Sequence, residues 1–246
     1  MRDAYFFSIH SIFLAVVLIG FSSSFYLRPF SDQAELPLYL RIHGLACTSW
    51  FIGILLQSYL IRSKQLDWHK KLGPIFTGLV PVIVLSGFWL TYYRIEKYYL
   101  GSSEFALQNP DRPEFESMLI WGDVLILLLF LGVVYMGYKQ RYQLNFHKRY
   151  MLFASILIVP QAFIRLGKIP FLMLGNNPAA SGSIYAVLGP VLVLLSLLGY
   201  DKSRLGRIHK ATKISWLLYL SLLISTVLIM RTGIGEAILE AIKWTS

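Results

Sequence analysis

Long apolar runs alternate with short polar stretches along the whole chain. Each run is close to the ~20 residues that an α-helix needs to cross a bilayer. In hydrocarbon the backbone must satisfy its own hydrogen bonds, and these runs are too continuously apolar for the alternating strands of a barrel. The pattern therefore predicts an all-α membrane protein, a bundle of seven transmembrane helices. The predicted helices lie at about 5–26, 37–61, 73–94, 117–139, 149–172, 183–200 and 213–232.

Three polar connections repeat one motif, an apolar residue followed by His-Lys, and we call them the His-Lys turns. They are Trp68-His69-Lys70, Phe146-His147-Lys148 and Ile208-His209-Lys210. Each turn joins two consecutive predicted helices, which divides the bundle into one leading helix and three helix hairpins. Lys and Arg cluster around the turns and are scarcer in the other connections, a bias that marks cytoplasmic loops. The N-terminus is therefore predicted to be cytoplasmic and the C-terminus periplasmic.

The composition agrees with a membrane environment. Hydrophobic residues make up 56% of the chain and charged residues 15%. In soluble domains about a quarter of all residues are charged. The net charge of +10 is explained by the basic loops, so no nucleic-acid partner is expected and the lipid bilayer is the expected surrounding. Cys47 is the only cysteine, which excludes a disulfide or a thiolate metal cluster within one chain.

The sequence predicts different structures for the two ends of the chain. Arg2 precedes the first apolar run, as in a signal peptide, but no clean cleavage site follows, so this run is predicted to remain as the first helix. We divide the chain into a transmembrane domain at 1–234 and a short amphipathic tail at 235–246, which is expected to lie on the outer surface.

Two residue types inside the helices predict their shape and their packing. Pro74, Pro81, Pro160 and Pro190 predict kinks in their helices, because a proline removes a backbone hydrogen bond. Small residues let helices approach closely in membranes, and on this basis we expect close contacts at four glycines. These are Gly78, Gly87, Gly132 and Gly189.

Polar side chains inside the predicted helices mark a candidate site. A charge at the centre of a span costs roughly 2.5–3.5 kcal/mol on insertion scales, so each needs a partner or a polar cavity. Helix direction and depth place several of these side chains in the outer third of the bundle. The predicted ligand-binding residues are Arg41, His43, Gln57, Asp123, Gln161 and Arg165. Two interpretations remain open: a simple Asp123–Arg165 ion pair with Arg41 and Lys168 reaching the headgroups, or a polar ligand pocket.

The histidines raise the question of metal or haem. His69, His147 and His209 of the turns, together with His10, are predicted to lie on the inner side, where a zinc site is conceivable. However, each turn histidine adjoins a lysine that opposes a cation, so interfacial anchoring or headgroup contact is favoured and no metal site is predicted. A haem needs two imidazoles at one depth, and His43 has no second histidine beside it.

The same residues resemble a known family. The shared motifs are His43-Gly44, Trp50 and Gln57, then His69-x-x-Leu72-Gly73, His147-Lys-Arg-Tyr-Met151 and Gly206-Arg207-x-His209. Over helices two to seven they are similar to the DUF2306 family of predicted membrane proteins. The resemblance implies an uncharacterised multi-pass protein of the bacterial inner membrane and carries no activity with it. Seven-helix zinc hydrolases also use inner-side histidines, but their His-x-x-x-His signature is absent here.

Three functions are compatible with these observations. The leading hypothesis is a membrane protein that binds a small polar, anionic, quinone-like or lipid-like ligand in an outer-leaflet pocket. The alternatives are an enzyme, either a haem and quinone redox protein or a zinc-dependent hydrolase, and an accessory subunit of a membrane complex. The sequence contains none of the common catalytic motifs, so catalytic residues, cofactors and protein partners are not assigned.

Overall fold

The computed structural model describes residues 4–96, 113–173 and 179–243. Within these ranges all regular secondary structure is helical, and we number ten α-helices in chain order. They are α1 Ala4–Gly20, α2 Leu38–Arg62, α3 Leu66–Thr77, α4 Leu79–Ile95, α5 Pro113–Lys139, α6 Leu144–Ile158, α7 Pro160–Met173, α8 Ala179–Leu205, α9 Lys210–Thr232 and α10 Ile234–Lys243. A π-helical turn, Ser22–Tyr26, follows α1 directly.

Five helices of the described chain are long and apolar enough to cross a membrane. They are α2, the combined α3–α4 segment, α5, α8 and α9. The bent pair of α6 and α7 becomes a sixth if its two halves form one span. At 17 residues α1 is shorter. The prediction of a helical protein with the character of a multi-pass membrane protein is confirmed, whereas the count of seven spans stays a prediction.

The predicted kink at Pro160 is present. α6 ends at Ile158, α7 begins at Pro160, and the two axes differ by 51°. Proline has no backbone N–H to continue the helical ladder, and its ring collides with the carbonyl four residues earlier. The bend turns α7 away from α5, against which α6 packs, and toward α1 and α8.

α6 is the central helix of the bundle. From Arg149 to Leu157 every residue except Met151 is buried, so the helix has no lipid-facing stripe. It contacts α1, α2, α5, α7, α8 and α9. The indole Nε1 of Trp50 on α2 donates a hydrogen bond to Ser155 Oγ at 3.1 Å, which fixes α2 against this centre.

The three His-Lys turns meet at one end of the bundle, which we call the basic end. The ring centroids of His69 and His147 are 6.4 Å apart, and those of Phe146 and His209 are 4.6 Å apart. The charge pattern of the sequence had placed these turns on one side. At the opposite end α10 folds back on α5, where Trp121 Nε1 donates to the Gly235 carbonyl at 3.0 Å.

Candidate functional site

Three charged residues gather near the opposite end of the bundle, and we call them the arginine cluster: Arg94, Asp123 and Arg165. Arg94, in the last turn of α4, donates from Nη1 to Asp123 Oδ2 on α5 at 3.1 Å. The two side chains are 25% and 22% exposed, so the pair is largely but not fully shielded. Asp123 was predicted from the sequence as part of the site, and Arg94 was not.

Arg165 completes the cluster without pairing to Asp123. Its guanidinium carbon lies 4.2 Å from the centroid of the Phe21 ring, and its Nη1 donates to the Gln161 carbonyl at 3.3 Å. It lies close enough to Arg94 for that charge to act on it. The predicted Asp123–Arg165 ion pair is therefore not formed within the described structure. The bend at Pro160 places Arg165 on a helix that packs on α1 and α8, whereas Arg94 belongs to the immediate neighbour of α5.

The arginine cluster has an excess of positive charge. Among the described residues the cluster has two guanidinium groups and one carboxylate; the carboxylate pairs with Arg94, and Arg165 has no acidic partner there. In surroundings of low dielectric constant an unbalanced charge is costly, so such a site favours an anion that approaches the second arginine. Chemically, the cluster can bind a carboxylate or another anion through charge-assisted hydrogen bonds.

Two of the other predicted site residues lie outside the cluster. The Arg41 side chain is 52% exposed and pairs with Glu35 at 3.9 Å on the surface. Gln161 also has an exposed side chain, and only its backbone carbonyl reaches Arg165.

His43 lies deeper in the bundle than the arginine cluster. Its Nδ1 donates to Ser86 Oγ at 3.1 Å, since the Ser86 hydroxyl itself donates to the Val82 carbonyl at 2.5 Å. Its Nε2 lies 3.5 Å from Cys47 Sγ, whose thiol can donate to it. Ser86 precedes Arg94 by eight residues, or about 12 Å along the helix. The imidazole thus joins α2 to α4 and does not reach the arginines.

Gln57 lies at the basic end, far from the arginine cluster along α2. Its side-chain amide contacts α3 at His69 and Gly73, and one orientation of the amide satisfies both neighbours. In that orientation the amide oxygen accepts from the Gly73 N–H at 3.2 Å, and the nitrogen donates to the His69 carbonyl at 3.2 Å and to His69 Nδ1. Gln57 therefore positions His69.

The four histidines of the basic side occupy different environments. His147 Nδ1 donates to the Gly137 carbonyl at 2.8 Å, and His10 is buried with its Nδ1 2.7 Å from Ser58 Oγ. His209 is the N-cap of α9, where its Nδ1 accepts from the Ala211 N–H at 3.1 Å. Burial, with the charge of Arg149, lowers the pKa of His209, which keeps the imidazole a neutral acceptor. No group of three or more potential ligands in the described chain is arranged to hold a metal ion.

A buried ion pair at the basic end is the main polar feature that the sequence did not indicate. Asp201 Oδ1 accepts from Arg149 Nε at 3.0 Å and also from Nη2. Its Oδ2 accepts from Thr212 Oγ1 at 2.6 Å and from the His209 backbone N–H at 2.9 Å. Arg149, Asp201 and Thr212 are all 0% exposed. These bonds use both carboxylate oxygens, so the pair joins α6, α8 and α9 and has no acceptor left for a ligand.

One signal in the sequence could have revealed this pair. Asp201 is the only acidic residue in the basic stretch 200–213. In the sequence Arg149 resembles the other basic residues of the loops, because it directly follows His147 and Lys148. A lone carboxylate among many cations at a helix end is a reason to look for a buried partner.

Comparison of the chain with known protein families finds no match, and no curated protein or solved structure is significantly similar to it.

Proposed function

We propose that the chain is a multi-pass membrane protein that binds a small anionic ligand, lipid-like or quinone-like in its apolar part, at the arginine cluster. The proposal rests on one observation: Arg165, which has no acidic partner among the described residues, lies within electrostatic range of Arg94 in the Arg94–Asp123 pair. Arg165 also lies against the ring of Phe21, so an anion there would have an apolar neighbour as well as a charge. An amphiphile with a carboxylate head supplies both a negative charge for Arg165 and an apolar chain for Phe21.

The proposed ligand enters from the membrane side of a seven-span bundle. In this proposal α1, extended by the π-helical turn Ser22–Tyr26, is the first span, and the bent pair α6–α7 counts as one. The basic turns lie in the cytoplasm and the arginine cluster lies toward the periplasm of a bacterial inner membrane. The resemblance to the DUF2306 family supports the bacterial inner membrane in this proposal and does not bear on the orientation.

A reporter fused after Ser246 tests the topology. We expect alkaline phosphatase at this position to be active, because α9 crosses the membrane once from the cytoplasmic turn at His209 and so places the C-terminus in the periplasm. A fusion after Gln143, in the turn before α6, should be inactive and serves as the internal control. Strong fluorescence from a cytoplasm-specific reporter after Ser246 would contradict this orientation and the crossing of α9, and with them the seven-span arrangement.

Titration with dodecanoate tests the ligand site. In purified protein in an uncharged detergent, Arg165→Gln should weaken dodecanoate binding by about tenfold or more, because it removes a charge-assisted hydrogen bond. Asp123→Asn should instead tighten binding, since it removes the carboxylate that competes with the ligand. If the two substitutions acted only by damaging the fold, both Arg165→Gln and Asp123→Asn would weaken dodecanoate binding.

Two controls isolate the site. Arg231→Gln removes an exposed arginine at the end of α9, near the same end of the bundle, and should leave dodecanoate binding unchanged. Dodecanol has the same chain without the charge and should not distinguish wild type from Arg165→Gln. Equal losses of dodecanoate binding in Arg165→Gln and Arg231→Gln would show that only the general surface charge matters. That result would refute the site.

A further inference from the structure

The outward face of α5 changes in character toward the basic end of the bundle. Leu128, Leu131, Tyr135 and Tyr138 follow one another at steps of three and four residues, so they share one face of the helix, and all four are exposed. Leu128 and Tyr138 are about 15 Å apart along the helix axis. The face therefore passes from leucines, which suit acyl chains, to tyrosines, which are enriched where the hydrocarbon of a membrane meets the headgroups.

An arginine follows directly after this face, in the turn between α5 and α6. The guanidinium carbon of Arg141 lies 4.5 Å from the ring centroids of both Tyr138 and Tyr142. Its Nη1 donates to the Tyr138 carbonyl and its Nη2 donates to the Tyr142 hydroxyl, each at 3.2 Å. We call these three residues the tyrosine turn. Because its contacts already hold the exposed Arg141 side chain in one place, a ligand there loses less binding energy to side-chain ordering.

The charge of the tyrosine turn is positive and is not balanced locally. No carboxylate of the described chain forms an ion pair with Arg141. The sequence contains no acidic residue between Asp123 and Asp201. Lys139, the exposed last residue of α5, adds a second positive charge, with its Nζ 5.3 Å from the centroid of the Tyr135 ring. A guanidinium has five N–H groups, and the two hydrogen bonds of the turn use two of them, so donors remain for an anion.

The apolar groups around Arg141 favour a lipid over a soluble anion. Tyr142 is 83% exposed, and Leu144, the first residue of α6, is 70% exposed. Exposed apolar surface in water costs about 25 cal/mol per Å², whereas at the boundary of a membrane lipid covers it. A soluble anion would satisfy the guanidinium alone. A lipid also covers the tyrosine rings and the leucines on the same face of α5.

We propose that the tyrosine turn binds the headgroup of an anionic phospholipid whose acyl chains lie along Leu128 and Leu131. The phosphodiester oxygens accept hydrogen bonds from the Arg141 guanidinium, whose planar fork matches two oxygens of one phosphate. The tyrosine rings lie at the level of the lipid's glycerol and ester groups, which are amphipathic like the rings themselves. This site is at the basic end, separate from the arginine cluster, and does not depend on it.

Lipid binding to the purified full-length chain in an uncharged detergent tests the site. The probes are dioctanoyl phosphatidylglycerol, which is anionic, and dioctanoyl phosphatidylcholine, which has the same chains and no net charge. Native mass spectrometry measures the dissociation constant of each lipid. We expect wild type to prefer phosphatidylglycerol, and Arg141→Gln should reduce this preference by about fivefold or more. If wild type showed no preference for phosphatidylglycerol, the proposal would be overturned whatever the variants did.

Three comparisons complete the test. Arg204→Gln removes an exposed arginine in the last turn of α8, at the same end of the bundle, and should leave the preference for phosphatidylglycerol unchanged. The loss in Arg141→Gln should persist in an Arg165→Gln background, because the arginine cluster lies at the opposite end. Dimethyl phosphate, a diester without acyl chains, should bind at least about tenfold more weakly than phosphatidylglycerol.

Three results would refute the lipid site. Equal losses in Arg141→Gln and Arg204→Gln would show that only the general charge of the basic end matters. A loss that disappeared in the Arg165→Gln background would assign the lipid to the arginine cluster. Equal affinity for dimethyl phosphate and phosphatidylglycerol would show that the turn binds a soluble anion.

Discussion

Replacing Arg149 with Met is expected to destabilise the protein by about 3–5 kcal/mol, because it leaves the buried Asp201 carboxylate without its counter-charge. Asp201→Asn should have a loss of similar size, since it leaves the guanidinium unpaired at a fully buried position. The double variant should recover about 1–3 kcal/mol relative to the sum of the single changes. In that variant the amide oxygen of the introduced asparagine can still accept from Thr212 and the His209 N–H. Unfolding by titration with a denaturing detergent in mixed micelles measures these free energies.

A surface ion pair of this same chain is the matched control. Arg41 and Glu35 lie 3.9 Å apart, with 52% and 91% of their side chains exposed. Arg41→Met should change stability by no more than about 1 kcal/mol, because water already screens an exposed pair. If Arg149→Met were as mild as Arg41→Met, the buried bonds around Asp201 would not stabilise the junction of α6, α8 and α9.

The second large effect is expected at Gly20, the last residue of α1. A methyl group on its Cα would lie 2.6 Å from the Ala162 carbonyl oxygen and 3.3 Å from the Ala162 carbonyl carbon on α7. Both are backbone atoms, which cannot rotate away, so α1 and α7 must separate. We expect Gly20→Ala to cost about 1–3 kcal/mol, as for other overpacked sites.

The same substitution at Gly132 is the control for Gly20. Gly132 is inside α5, and a methyl group there meets no atom within 4 Å. Gly132→Ala should be neutral or stabilising by about 0.5–1 kcal/mol, because alanine loses less conformational entropy in a helix. Thermal unfolding in detergent compares the two variants directly. A loss at Gly132 equal to that at Gly20 would show that contact with α7 is not the cause.

The two glycines also show what sequence could and could not predict. Close helix contacts were expected at Gly78, Gly87, Gly132 and Gly189. Gly87 does lie against Leu127, and Gly189 against Phe163, each at 2.7 Å from the position of an added methyl. Gly132 has no such neighbour, and the atoms nearest to Gly78 belong to Ile75 and Pro74 in the turn before it, so the prediction was wrong at these two positions. A glycine in an apolar run permits a close approach, but its partner helix depends on the rotation of both helices.

The partners of the charged residues also depend on helix rotation, which the sequence does not give. Depth along a helix could be counted from the sequence, and it placed Asp123 and Arg165 at one level. Depth alone does not give the direction in which a side chain points, and the bend at Pro160 separates these two residues. Arg94 then takes the place of Arg165 beside Asp123. Gln57 shares a helix face with His43 but lies about four turns further along, beside His69.

The sequence by itself determined the helical class, the hairpin division and the common side of the three His-Lys turns. These properties depend on the length of each apolar run and on the charges that flank it, which act on each segment separately. Only the tertiary structure decided which polar side chains meet: Arg94 with Asp123, Arg149 with Asp201, and His69 with His147 and Gln57. Each of these contacts joins residues from different helices, and a rotation of one helix by a single residue, about 100°, would break it.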